Sequence, residues 1–413
     1  MKYIYIIFYS FLIYSGCSKV EETPGSPIED TTHIEDTTHV IKPQYDIPWP
    51  TLAQTAWPKA LHDAQCTGRS SFNGPSIGRV KLEVPLDEYT TDAIMGSDSA
   101  FYIASDTNLY AITLNGKQLW SVYLKIIDLP NDNPPIINAD GIIFIGVYNG
   151  ISAYRNDGTL LWNKELDGRV LIKSSAIGLD GNIYTITNSG TLYSINPSGN
   201  ILWNLNAPIG QFSWGDGQTI SFTPDGNRFY VGGRTKEQSL YLINTNGEIL
   251  QIDSLGGPQA GAISVDVEGN VFAFFGYDLL SISASGIERW RISNVGNYNW
   301  NVTIDPDGNI AYLSNGYLFS VDNNGKKRWS IKVHSVDDIT HIVCDAHGTN
   351  YIETSDDRKN YDVQAINNKG KVLWSLTLGA YIKEGGTSLT REGYLLFPHS
   401  NYLPGTKHMY IIE

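Results

Sequence analysis

From about residue 80 onward, short apolar or aromatic runs alternate with tight polar turns, the rhythm of strands joined by hairpins. One unit reads as a polar–apolar stretch entering an Asp-Gly turn, then a Tyr/Phe/Ile/Val run. A run such as TLYSI (191–195) follows, and then a last run that carries a tryptophan. That makes four short strands per unit. The turns recur as DGIIF (140–144), DGNIY (180–184), DGNRFY (225–230), EGNVF (268–272), DGNIAY (307–312) and HGTNY (347–351). Asp-Gly and Asn-Gly pairs suit hairpin loops in which both residues take positive φ, and that is the turn expected here.

The units keep phase. A Gly followed four residues later by Trp occurs as Gly116/Trp120, Gly158/Trp162, Gly199/Trp203, Gly286/Trp290, Gly325/Trp329 and Gly370/Trp374, while Gly247 is followed by Gln251. Five residues before each Gly stands a small or apolar residue: Ala111, Ala153, Ser194, Leu242, Ser281, Ser320 or Ala365. Four-stranded units of this kind cover their apolar faces by packing radially against one another, which predicts an all-β propeller. Seven units end in the Trp or Gln slot, and an eighth opens at Glu392-Gly393-Tyr394 but stops at Glu413 before any such strand. Near the other end, Gly78 and Leu82 in GRVKLEV (78–84) show the same spacing. The expectation is an eight-bladed β-propeller over residues 56–413, its last blade closed by an N-terminal strand. Trp120, Trp162, Trp203, Trp290, Trp329 and Trp374 are then anchors between blades, each with a large ring and an indole N–H for a neighbouring carbonyl.

Composition agrees with strands: the 413 residues include 40 Gly, 25 Tyr and 10 Trp, with only 17% charged. A net charge of −14 argues against a nucleic-acid partner held through phosphates. The start of the chain is an address. Residues 1–16 carry Lys2, an apolar run from Tyr3 to Tyr14, then Ser15 and Gly16 ahead of Cys17. They resemble a bacterial lipoprotein signal, although Tyr14 stands where that pattern has an aliphatic residue. The resemblance implies lipidation at Cys17 and an envelope location, with the outer membrane favoured over the inner. Residues 17–55 turn to Glu, Asp, Thr and Pro, repeat IEDTTH at 28–33 and 34–39, and read as an acidic tether without a core.

Candidate chemistry is sparse. DPDGN (305–309) runs straight into a strand and lacks the spread of ligands that a calcium loop needs. His341, Cys344 and His347 fall on a strand and its turn, where steps of three point to opposite faces, so no metal is expected there. His62 and Asp63 have no nucleophile motif beside them and are read as pinning the N-terminal segment across the propeller. An extracytoplasmic location permits a Cys66–Cys344 disulfide, but no sequence feature places the two sulfurs together. Residues nine to twelve past each Trp slot should line the channel mouth, which gathers Lys173, Trp214, Trp300, Thr340, His341, Lys383 and Glu384, with Tyr298 just before. Aromatics among polar groups are what peptide or sugar recognition would use.

The repeats resemble the pyrroloquinoline quinone (PQQ)-like propeller repeat, shared by quinoprotein dehydrogenases and BamB-like lipoproteins. AWPKALHDAQCTGRSSFNGP (56–75) is similar to the opening stretch of the non-enzymatic branch. The dehydrogenase side of the family holds PQQ with calcium, an Asp base and often a disulfide between adjacent cysteines. This chain has neither adjacent cysteines nor a C-x-x-C-H haem site, and its Ala-to-Gly spacing is five residues rather than that branch's six. The resemblance therefore implies a lipid-anchored, non-catalytic scaffold without cofactor or catalytic residues. Its partners would be other envelope proteins, in the manner of outer-membrane protein assembly. A glycan- or small-ligand-binding propeller is the alternative, and a PQQ-dependent dehydrogenase a remote one.

Overall fold

A computed structural model describes residues 42–86, 90–96, 99–105, 107–124, 133–171, 173–206, 218–233, 239–257, 259–295, 301–333, 341–356, 360–379, 386–400 and 407–413. The described residues form eight four-stranded antiparallel sheets. Blades 1 to 7 are continuous, at 94–123, 136–165, 176–206, 221–253, 259–292, 303–332 and 342–379. Blade 8 combines Ser388–Leu389, Leu395–Ser400 and Lys407–Ile412 with an outer strand, Val80–Pro85, from the other end of the chain. That strand runs antiparallel to the C-terminal one, with Val84 opposite Met409 and Pro85 opposite His408. The propeller therefore closes by exchange of an N-terminal strand.

Packing explains the strand compositions. Middle strands such as Ala100–Ala104 and Thr191–Ile195 are buried at every position because a neighbouring blade covers each face. Outer strands such as Gln118–Tyr123 alternate between exposed and half-buried. The Gly–Trp spacing becomes a joint between blades. Trp162 of blade 2 lies where a Cβ on Gly199 of blade 3 would come within 2.8 Å of its ring, and its Nε1 donates to Pro197 O at 2.9 Å. Trp120, Trp203, Trp290 and Trp329 repeat the arrangement on Gly158, Gly247, Gly325 and Gly370, each donating to a carbonyl of the next blade. The ring then completes itself, with Trp374 seated on Gly78 and donating to Pro75 O, and Leu82 seated on Gly116.

The turns differ from the expected form. In DPDGN only Gly308 takes positive φ, at 79°, and the preceding Asp307 does not. Asp305 N donates to Asn309 O, and Gly308 N to Asp305 O. This is a type I turn followed by a left-handed glycine, the three-residue hairpin, rather than a two-residue loop with two positive φ values. The Asp305 carboxylate accepts from Asp307 N and Asn309 N, so it holds the turn.

Residues 42–55, expected to end the tether, are packed. Trp49, Leu52 and Ala53 are buried, and Trp49 Nε1 donates to Ile177 O at 2.8 Å. They begin a segment that passes from blade to blade along the inner strands. Main-chain bonds join it to Ile137 through Ala53 and Pro58, to Met95 through Trp57, and to Phe222 through Ala64. Gln65, Thr67 and Gly68 then accept from Val265, Ile304 and Cys344. Blades 1 to 7 are thus tied to one strap. Cys17 lies outside the described residues.

Candidate functional site in the central channel

The inner strand is two or three residues long in every blade but the fifth, and the residues at or just before it line the channel. There the structure brings together Lys173 before blade 3, Thr219 before blade 4, Gly261 and Ala262 in blade 5, Asn301 before blade 6 and His341 before blade 7, with Leu61 of the strap beside them. Asp92, before blade 1, completes the group. Lys173 Nζ lies 2.9 Å from Asp92 Oδ2 and 2.8 Å from His341 Nε2, so one ammonium joins three blades. All three side chains are buried. Gly386 N, just before blade 8, donates to Asp92 Oδ1.

The electrostatics are internally matched. Burial pushes the Asp92 carboxyl up, but the Lys173 ammonium and the Gly386 N–H hold it below the usual carboxylate range. Burial, reinforced by the Lys173 charge, pushes His341 down to about 3. Its imidazole is therefore neutral at neutral pH, with Nε2 accepting from Lys173. Lys173 holds this position at a φ of 58°, a conformation that non-glycine residues rarely adopt. The cluster can anchor an anionic or hydroxylated group entering from the mouth, or serve as a polar brace across the channel.

Of the residues expected at the mouth, Lys173 and His341 meet here. Trp214, Tyr298, Trp300, Thr340, Lys383 and Glu384 lie outside the described residues. Asp92, Thr219 and Asn301 were not singled out from the sequence. Counting ten residues on from Leu82, the eighth slot, reaches Asp92, so that signal was present. Thr219 follows a longer crossing and falls outside the count.

Two further groups lie outside this cluster. Cys66 and Cys344 are separate, buried free thiols. Asp46, His62 and Asp63 converge closely enough to invite a cation. However, Arg69 Nη2 is 3.3 Å from Asp46 Oδ1, while Asp63 accepts from Thr67 N at 2.9 Å and Thr67 Oγ1 at 2.5 Å. These carboxylates hold the strap's turn.

Residues 103–274 match the family described as "Outer membrane protein assembly factor BamB". BamB from Moraxella catarrhalis superposes with a TM-score of 0.61 at 16% identity, over 81% of this chain and 97% of that one. The quinohemoprotein alcohol dehydrogenase from Comamonas testosteroni gives 0.67 at 12% identity, over 86% and 80%. At such identities the likeness concerns the fold. A lambda-carrageenase from Pseudoalteromonas carrageenovora is 30% identical over 112 residues, which are 25% of this chain and only 11% of that protein's length. With its phased Gly–Trp joints and eight four-stranded blades, the chain is an eight-bladed β-propeller that resembles the PQQ-like repeat family, whose model matches blades 2 to 4 and parts of blades 1 and 5.

Proposed function

We propose that this chain is a lipid-anchored, non-catalytic scaffold of the cell envelope that binds another envelope protein, in the role that the matched family's description names. The observation carrying this reading is a row of exposed apolar side chains on the outer strands of four successive blades. Leu119, Leu160, Leu202 and Leu250 are 46%, 52%, 50% and 51% exposed. Blades 5 and 6 present Glu288, Arg289, Lys327 and Arg328 at the matching positions. Leu373, in the same slot on blade 7, is likewise 50% exposed, and such recurring exposed apolar positions on the outer strands support an interaction surface. The channel supports the same reading: its polar cluster is already paired within itself, and the strap runs along the inner strands. The leader ending at Cys17 supports the anchor.

The test is crosslinking in membranes followed by mass spectrometry, comparing the native chain, Cys17→Ala, and Leu160→Lys combined with Leu202→Lys. Barrel-assembly proteins recovered with the native chain and lost with both variants are the expected result. Identical recovery from all three would sink the reading. A second reading, a propeller that takes a glycan at the channel mouth, is favoured by the local match to a lambda-carrageenase. It predicts glycan binding that Trp214→Ala and Lys173→Met abolish while the fold persists.

A further inference from the structure

In the strap, far from the proposed docking arc, Lys59 and Cys66 form an unusual pair. Lys59 is 2% exposed and Cys66 0%. Lys59 Nζ has three recorded partners: Ala60 O at 2.8 Å, Asp63 O at 3.1 Å and Cys66 Sγ at 3.2 Å. No carboxylate pairs with it among the described residues. A buried cation is normally matched by an anion, because desolvation costs several kcal/mol. Here the place of the anion is taken by a thiol. The other recorded contact of the sulfur is Ile220 O at 3.9 Å.

The backbone is shaped to bring the two together. Leu61, His62 and Cys66 take φ values of 60°, 74° and 55°, all in the region that L residues rarely adopt. The chain therefore doubles back, with His62 N bonded to Lys59 O and Cys66 N to Asp63 O. Cys66 packs against Leu61 and Ala262, and both of those also line the channel hollow. A small oxidant in the channel is one side chain away from the sulfur.

We propose that Lys59 and Cys66 are a covalent modification site, joined through a single oxygen atom as an N–O–S bridge when the envelope supplies peroxide. The step balances as R–NH2 + R′–SH + 2 H2O2 → R–NH–O–S–R′ + 3 H2O. One N–H and the S–H bond break, N–O and S–O bonds form, and both peroxide O–O bonds break. Nitrogen and sulfur each give up two electrons, and each peroxide takes two. The sulfenic acid of Cys66 is the natural first product, with its oxygen facing the amine. The bridge closes a loop that contains Ala64 and Gln65 and is followed by Thr67 and Gly68, the four residues that tie blades 4 to 7 to the strap. Oxidation would then lock the strap in place, independently of any partner.

The experiment is tryptic mass mapping of the full chain, purified without reductant and treated with hydrogen peroxide. We expect loss of cleavage after Lys59 and a mass gain of about 14 Da over the unlinked residues, reversed by dithiothreitol. Cys344→Ser should retain the product, whereas Cys66→Ser and Lys59→Arg should each abolish it. Reductant should lower the thermal midpoint of the oxidised native chain and leave that of Cys66→Ser unchanged. The proposal is overturned if Cys66 instead gains about 16, 32 or 48 Da with Lys59 still cleaved, or remains a fully alkylatable thiol. It is equally overturned if the 14 Da product persists in Lys59→Arg.

Discussion

Each blade joint places a small residue directly across the strand pair from the tryptophan: Ala111 faces Trp120, Ser194 faces Trp203, and Ala365 faces Trp374. Where Trp is replaced by Gln251, the facing residue is Leu242. The pair conserves bulk by exchanging which strand supplies it, which is how interiors tolerate substitution. Gln251→Trp alone should overpack the joint against Leu242 and cost about 1–3 kcal/mol. Leu242→Ala alone should cost about 2–4 kcal/mol through the space it leaves. Together they recreate the arrangement of the other blades, so urea denaturation of the four chains should show a favourable coupling of at least about 1 kcal/mol. The Trp–Gly spacing was legible because six of the eight joints set a tryptophan ring on one blade against a positive-φ glycine on the next. The facing residue was legible only as a recurring small position, since the sequence does not say which strands pair.

Among elements, the strap and the closing strand were read with unequal success. Val80–Pro85 was found because Gly78 and Leu82 keep the repeat's phase, and they fill the same joint positions as the Gly and the Trp or Gln251 of the other blades. Residues 42–55 were read as tether with the rest of 17–55 on its Glu, Asp, Thr and Pro composition, and Trp49, Leu52 and Ala53 show neither a period of two nor one of 3.6. A segment that touches a different blade every few residues has no single face to bury, so it carries no periodicity. A chain beginning at residue 42 should keep the thermal midpoint of the full-length protein. A chain beginning at residue 80 loses the bonds from Trp49, Ala53, Pro58, Ala64, Gln65, Thr67 and Gly68, and its midpoint should fall by at least about 5 °C. Equal midpoints for all three chains would show that the strap contributes nothing.

For the whole molecule, the channel cluster sets a pH dependence. His341 is held neutral with its value at about 3, whereas in the unfolded chain it returns to 6.5. Between those values the unfolded chain binds the extra proton, so stability rises with pH and is lost as pH falls from about 6.5 towards 3. Asp92 acts in the same direction further down. Its lowered value gives stability that is present above the ordinary carboxylate range and lost as pH falls through its folded value. Urea midpoints measured from pH 7 to pH 4 should therefore decline, and His341→Asn should flatten the decline above pH 4.5. An unchanged slope in that variant would remove His341 from the account.

Fold class, blade number and the means of ring closure could be read from the chain alone. They depend on a local rule, Gly to Trp in four residues, which six of the eight blades obey and which Gln251 and Leu82 keep in phase in the other two. The turn type, the strap and the meeting of Asp92, Lys173 and His341 could not be read in this way. Asp92 and His341 lie 249 positions apart in sequence. They approach only because the ring brings the first and seventh blades to a common axis, where a lysine from the third can reach both. Such contacts follow from closure of the ring, and no local spacing encodes them.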